Sequence, residues 1–282
     1  MFAGAAFTDQ ADIKVKSDVV DTLVSLGVVN GYDDGSFKPN GTVTRAEMAK
    51  MIYVLRTGNS DASAYNDDKT SFTDIGSHWA RGYIKYCQSL GIIAGKSNTK
   101  FCPNDKVTAQ EAAKMLLVTL GYDATKAGLT GAGWASKTNA LADENGLLED
   151  VNTSFTSACP RQYAAQLIYN AIDAETVVLR DGAYTDESAL GIPNKTVGEK
   201  YMGLIRTTVT VYGDKARNDS LKDGELEVNL ANRDDDAGAA GNKIITYTVS
   251  DITSKIGQSV ELLWKESKDT KNNLDKNDKI YG

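Results

Sequence analysis

Apolar residues recur at helical spacing through most of this chain and switch to strand-like alternation in its last third. Val15, Val19, Leu23 and Leu26 form one stripe, stopped by Gly27 as a helix-terminating glycine. Met48, Met51, Ile52 and Leu55 form a second at i, i+3, i+4 and i+7. Between them lies Gly31-Tyr-Asp-Asp-Gly-Ser-Phe-Lys-Pro39, whose Asp-Gly and Pro are turn formers. The pattern returns with Trp79, Tyr83, Cys87 and Leu90, then Ala112, Met115, Leu116 and Thr119. A third version carries Trp134, Thr138 and Leu141, then Ala164, Leu167, Ile168 and Ala171. Six short helices in three pairs are predicted, too short to persist unless they pack on one another. Trp79, Trp134, Met48, Met51 and Met115 are expected to face a shared interior.

The first two versions superpose without a gap. Gly27-Val-Val-Asn-Gly31 reappears 64 positions on as Gly91-Ile-Ile-Ala-Gly95, and the same shift carries Phe37 onto Phe101, Pro39 onto Pro103, Thr44 onto Thr108 and Glu47 onto Glu111. The third is looser: Trp79-Ala80 and Gly91 map 55 positions on to Trp134-Ala135 and Gly146. Such a period means one supersecondary unit used three times, with the core buried between copies. Catalytic centres are rarely built in triplicate, so the pattern favours a binding or structural module.

Beyond residue 180 the period changes. Thr207–Tyr212, Glu225–Leu230, Ile244–Val249 and Ser259–Lys265 are rich in β-branched residues, and Glu225-Leu-Glu-Val-Asn-Leu230 alternates strictly. This predicts a small all-β domain, sandwich or barrel, giving an α plus all-β multidomain chain. Lys279-Ile-Tyr-Gly282 reads as a strand cut short, so the natural chain is expected to continue. The expected organisation is a signal-peptide remnant at 1–6, repeats at 7–58, 72–122 and 128–180, a linker at 181–200 and the β domain at 201–282.

Composition narrows the function. Against 31 Lys and Arg stand 38 Asp and Glu, a net charge of −7, which argues against duplex nucleic acid as a partner. No apolar run is long enough to span a bilayer. The opening Met-Phe-Ala-Gly-Ala-Ala resembles the end of a secretory signal, so export is expected. Cys87, Cys102 and Cys159 are too few for a disulfide scaffold. Cys87 occupies the place of Leu23 and reads as a small buried hydrophobe, although a Cys87–Cys102 bridge stays open. The single histidine, His78, excludes paired-histidine metal sites and reads as structural. No cofactor is implied. The acidic stretches Asp234-Asp-Asp236 and Asp269 to Asp278 lack calcium-loop spacing and read as solvated turns.

The sharpest chemical signal is Thr44-Arg45-Ala46-Glu47. Thr-x-x-Glu is a capping box, repeated in Thr108-Ala-Gln-Glu111. The cap explains Thr44 and Glu47 but not Arg45, since a cation in the first turn opposes the helix dipole. Arg161 stands at the equivalent place in the third repeat. An arginine beside exposed N–H groups suits a carboxylate or phosphate. The alternative is an internal partner such as Asp33 or Asp34.

These motifs resemble the S-layer homology domain of bacterial cell-surface proteins. The resemblance rests on Phe7-Thr-Asp9 and Phe72-Thr-Asp74, His78-Trp79-Ala80, the Gly31–Pro39 loop and Thr44-Arg-Ala-Glu47, and covers roughly residues 7–180 as three copies. It implies a three-fold pseudo-symmetric helical bundle whose grooves hold a secondary cell-wall polysaccharide, commonly with a pyruvylated amino sugar, and so anchor the protein noncovalently. It implies Arg45, Gly31 and Gly95 as ligand contacts, with Arg161 retained in repeat three. Thr44, Asp33, Asp34, Trp79 and Trp134 complete the candidate carbohydrate-binding set. Ala109 replaces the arginine in repeat two, and Pro160 replaces the capping threonine in repeat three, which suggests proline in the first helical position. The leading expectation is a noncatalytic anchor at the cell wall. The alternatives are the targeting segment of an exported enzyme whose catalytic part lies beyond residue 282, and a lattice subunit that self-associates.

Overall fold

The computed structural model describes residues 7–193, 195–247, 252–268 and 272–282. The expected signal remnant at 1–6 lies outside them, as do Thr248 and Val249 at the end of one predicted strand. The chain divides into two compact units, Phe7–Met202 and Gly203–Gly282.

In the first unit the apolar stripes become α1 (Ser17–Ser25), α2 (Arg45–Thr57), α3 (Arg81–Ser89), α4 (Ala109–Leu120), α5 (Trp134–Glu144) and α6 (Arg161–Asp173). The first helix of each pair ends in the same way. Gly27, Gly91 and Gly146 are left-handed, with φ of 73°, 70° and 71°. The following N–H of Val28, Ile92 and Leu147 reaches back to the carbonyl of Leu23, Cys87 and Ala142, at 2.9, 3.0 and 2.8 Å. These are Schellman caps, which only glycine enters without strain. The second helices of the first two pairs start from the predicted capping boxes. Thr44 and Thr108 each accept the N–H of Glu47 and Glu111, which return a carboxylate oxygen to the threonine N–H. In the third pair Pro160 is the N-cap and Arg161 the first helical residue, so the proline sits one position earlier than expected.

The three pairs close into a ring. Val43 N–H donates to Cys159 O (3.1 Å), Cys159 N–H to Val107 O (2.8 Å) and Val107 N–H to Val43 O (3.0 Å). Around this triangle, α2 packs on α3, α4 on α5 and α6 on α1. Each second helix thus meets the first helix of the next repeat, and the last repeat meets the first. Leu23, Phe37, Met48, Phe101 and Leu116 are fully buried inside. The methionines behave as expected, Met51 and Met115 being 4% exposed, but the tryptophans do not. Trp79 is 54% exposed and Trp134 half-buried. Trp79 lies two residues before α3 and Trp134 opens α5, so both stand at helix starts.

All three thiols are free, which removes the Cys87–Cys102 bridge; Cys87 is buried as expected. Where a linker was expected at 181–200, the chain instead stays packed with the helices. The strands β1 (Val177–Arg180) and β2 (Ala183–Asp186) form a hairpin through Asp181 and Gly182, both left-handed as a tight Asp-Gly turn requires. Gly121 lies under this hairpin, and a Cβ there would fall 2.1 Å from Val177 O. A buried Glu187 then binds Thr176 Oγ1 and, at 2.6 Å, Lys200 Nζ, which fixes the segment down to Met202.

In the second unit, β3 (Ile205–Gly213), β4 (Glu225–Leu230), β5 (Gly241–Thr246), β6 (Ser259–Lys265) and β7 (Lys279–Ile280) make one antiparallel sheet, ordered β5-β4-β3-β6-β7. Alternation puts Leu226, Val228 and Leu230 of β4 inward, beside Val209, Ile245, Leu262 and a fully buried Trp264. The Trp264 indole N–H donates to Thr207 Oγ1 at 3.1 Å, so its polar edge is satisfied. Asp278, expected in a solvated turn, is instead buried, and its carboxylate accepts the N–H groups of Ser267 and Asp275.

Candidate functional site

The family-like motifs mostly build the loops. Asp9 accepts the N–H groups of Phe37 (2.9 Å) and Lys38 (2.8 Å), and Asp74 those of Phe101 (3.0 Å) and Cys102 (2.8 Å). Lys38 and Cys102 are left-handed at φ 56° and 59°, a cost of about 1–3 kcal/mol that the carboxylate clamp offsets. Burial pushes the Asp74 carboxyl up, but these N–H donors outweigh it and hold the group below its usual value. Phe7 packs at a tilt against Phe37 and Phe72 against Phe101, with centroids 5.4 and 5.5 Å apart. The rings explain the glycines: a Cβ on Gly31 would lie 2.7 Å from the Phe7 ring, and one on Gly95 2.6 Å from Phe72.

The two arginines cross between repeats. Arg45 is 4% exposed and sends Nε to Phe101 O (3.0 Å) and Nη2 to Ala94 O (2.6 Å), with its guanidinium 4.5 Å from the Phe101 ring centre. Burial pushes its pKa down, against the pull of Glu111 and other acidic neighbours. Arg161 sends Nη2 to Asn30 O at 2.6 Å and lies 5.1 Å from both the Tyr32 and Phe37 rings. The internal partner of each arginine is therefore a loop carbonyl of another repeat, not Asp33 or Asp34. Asp34 instead binds Ser36 and Lys38, and Asp33 is exposed.

The helix starts are also more occupied than the motif suggested. Arg45 N–H donates to Asp105 O and Ala46 N–H to Pro103 O; Arg161 N–H donates to Gly41 O and Gln162 N–H to Pro39 O; Gln110 N–H donates to Phe155 O. These first-turn donors are spent on the loop of another repeat rather than left for an anion. What remains is on the arginines themselves. Nη1 of Arg45 and of Arg161 makes no hydrogen bond among the described residues.

Three comparable grooves follow from this interleaving, two of them joining all three repeats. One joins Arg161, the Asn30–Tyr32 loop and the α2–α3 pair that carries Trp79. The next joins Arg45, the Ala94–Lys96 loop and the α4–α5 pair. Here Lys114 lies 5.5 Å from the Trp134 ring centre and Lys96 pairs with Glu111 at 3.6 Å. Burial lowers the Lys114 pKa, Glu111 opposes this, and the nearby Arg45 charge lowers it further, so the groove gathers positive charge. The third groove has Ala109 at the arginine position.

The candidate set is thus split between grooves. Gly31 and Arg161 belong to one, Gly95, Arg45 and Trp134 to another, and Thr44 is committed to its cap. His78 is structural, its Nδ1 accepting Ala80 N–H at 3.1 Å. Lys114 was missed by the sequence reading, although Lys50 and Lys114 share a position in the repeat. Among the described residues no group of His, Cys, Asp or Glu is placed to hold a metal, and no helix is long and apolar enough to cross a membrane.

Comparison with known proteins agrees with the motifs. The S-layer homology domain family matches residues 6–49 and 71–113. A cell surface protein of Thermoanaerobacter kivui is 26% identical over 258 residues, 87% of this chain and 32% of that protein. A cellulosome-anchoring protein of Acetivibrio thermocellus is 28% identical over 39% of this chain and 25% of its own length. Exoglucanase XynX of Acetivibrio thermocellus is 28% identical over 59% of this chain and 16% of its own length. The chain thus spans about a third or less of the length of these relatives.

Proposed function

Because the chain is a bacterial surface protein with S-layer homology domains, we propose that its helical unit anchors it noncovalently to the cell wall by binding an acidic, pyruvylated secondary wall polysaccharide. The observation that carries this reading is the unspent Nη1 of Arg45 and Arg161, each in a groove beside aromatic rings. A pyruvate ketal brings one carboxylate to a sugar ring. A guanidinium offers it a charge-assisted hydrogen bond, while the exposed Trp79 and half-buried Trp134 offer flat apolar faces to the ring itself. The ring of backbone hydrogen bonds and the cyclic helix packing support a three-fold pseudo-symmetric bundle. The wall-binding part is assigned to Phe7–Met202, and Gly203–Gly282 to a spacer or surface domain.

The test is a titration of the full chain with wall fragments before and after chemical removal of pyruvate, beside sedimentation with purified walls. One charge-assisted bond of about 1.5–3 kcal/mol predicts roughly ten- to a hundredfold tighter binding to the pyruvylated fragment. Equal affinities would refute it. A second reading, the wall-targeting segment of a longer exported enzyme, is favoured by the exoglucanase relative and is decided by the sequence following residue 282.

A further inference from the structure

The third groove is chemically unlike the other two. It forms a cavity of about 440 Å³ between α1, α6 and the loop of repeat three. In the other grooves the loop carbonyl three residues after the capping glycine, Asn30 O or Ala94 O, accepts from an arginine. In this one the equivalent carbonyl, Glu149 O, accepts from Asn170 Nδ2 at 2.7 Å, and Leu147 O accepts from the same nitrogen at 3.0 Å. Two further positions have changed in step. Ala109 replaces the arginine, and Gln166 stands where Lys50 and Lys114 stand in the first two repeats. Every positive group that defines the other grooves is gone.

The amides have a defined orientation. Asn170 faces two carbonyls with Nδ2, so its Oδ1 must accept, and it takes Gln166 Nε2 at 2.9 Å. Among the described residues, Gln166 Oε1 is thereby left as a buried acceptor without a partner, on a side chain 4% exposed that lines the cavity. Such an acceptor favours a ligand that brings a donor. The charged residues lining the cavity are Lys16, Asp18, Glu149, Asp150 and Asp173, and Lys16 is already paired with Asp150 at 3.1 Å. An acid group entering here would meet negative charge and no unspent cation.

We propose that this third groove takes a saccharide unit that offers hydrogen-bond donors and carries no acid group, so that one helical unit reads two kinds of sugar along a wall polymer. The proposal rests on the groove-binding reading above and deepens it. The full chain is titrated with three probes: an N-acetylglucosamine disaccharide, its de-N-acetylated form, and a disaccharide bearing a pyruvate ketal. The side-chain amide resonances of Gln166 and Asn170 report on the third groove, and the Trp134 indole resonance on the Arg45 groove. The neutral or the amino disaccharide is expected to move the Gln166 and Asn170 signals, and the pyruvylated probe to do so at least about tenfold more weakly. A response to the neutral probe assigns hydroxyl or amide donors, and one to the amino probe alone assigns an ammonium. Gln166→Ala is expected to lower that affinity about tenfold. The double substitution Ala109→Arg with Gln166→Lys restores both basic positions and is expected to reverse the preference. Silence of the amides to all three probes, or equal response to the pyruvylated one, overturns the proposal. If Trp134 or Trp79 responds to the pyruvylated probe in that case, the anchoring reading survives; if both indoles are silent too, both readings fail.

Discussion

Replacing Arg45 by alanine should damage the fold as well as any ligand site. The side chain is almost wholly buried and gives charge-assisted hydrogen bonds to Phe101 O and Ala94 O. Each such bond contributes about 1.5–3 kcal/mol, and truncation leaves carbonyls without a donor. Against this, the variant no longer desolvates a guanidinium, so a net loss of about 3 kcal/mol is expected. For a unit of this size that lowers Tm by roughly 6–12 °C. Among the described residues Arg161 makes one such bond, and its Nε is buried without a partner, so Arg161→Ala should lose about half as much. Arg45→Lys keeps the charge but not the two-pronged geometry, and should fall between wild type and Arg45→Ala. Thermal unfolding followed by far-ultraviolet circular dichroism measures all three. An Arg45→Ala protein melting within about 2 °C of wild type, or above Arg161→Ala, would refute the reasoning.

Gly95→Ala should cost about 2–3 kcal/mol, because its Cβ would lie 2.2 Å from the backbone oxygen of Ser97; a denaturant titration measures it against Gly27→Ala, where only the positive φ is at stake and about 1 kcal/mol is expected. The Lys200 ammonium, then Thr176, hold the buried Glu187 carboxyl below its ordinary value of 4.5 against the effect of burial. Its stabilisation is therefore complete above the unfolded value and lost as pH falls through the lower folded one. Lys200→Met should cost about 1.5–3 kcal/mol at neutral pH, and the gap to wild type should close on acidification; a constant gap in pH-dependent melts would count against the pairing. Burial pushes the Cys87 and Cys159 thiols up to about 12, so both should resist alkylation at neutral pH until the helical unit unfolds, as mass spectrometry of timed labelling would show.

Periodicity located all six helices because each carries an apolar stripe whose central positions the fold buries, and the capping boxes are local enough to be read from four residues. Arg45 shows where such reading stops. Its misfit in a first turn was visible, but its partners, Ala94 and Phe101, lie about fifty residues away in another repeat. Trp79 and Trp134 were placed inside because they open apolar stripes; the groove at the helix start is a property of the ring, which no single stripe encodes. The β1–β2 hairpin was legible in Asp181-Gly182 but hidden by the expectation of a linker. Gln166 was unremarkable as a residue. It gained meaning only when the arginine and lysine positions of the other grooves could be aligned with it in space.

The triangle of Val43, Val107 and Cys159 has a mechanical consequence. In an open array of repeats, a pull on one end peels the units away one after another, each yielding at its own small force. Here the third repeat is fastened to the first, through Val43 to Cys159 and Gln162 to Pro39, as firmly as neighbours are to each other. Tension applied through Met202 cannot free repeat three without breaking its seams with both other repeats together. The load is shared by all three, and rupture should come as one high-force event rather than a staircase.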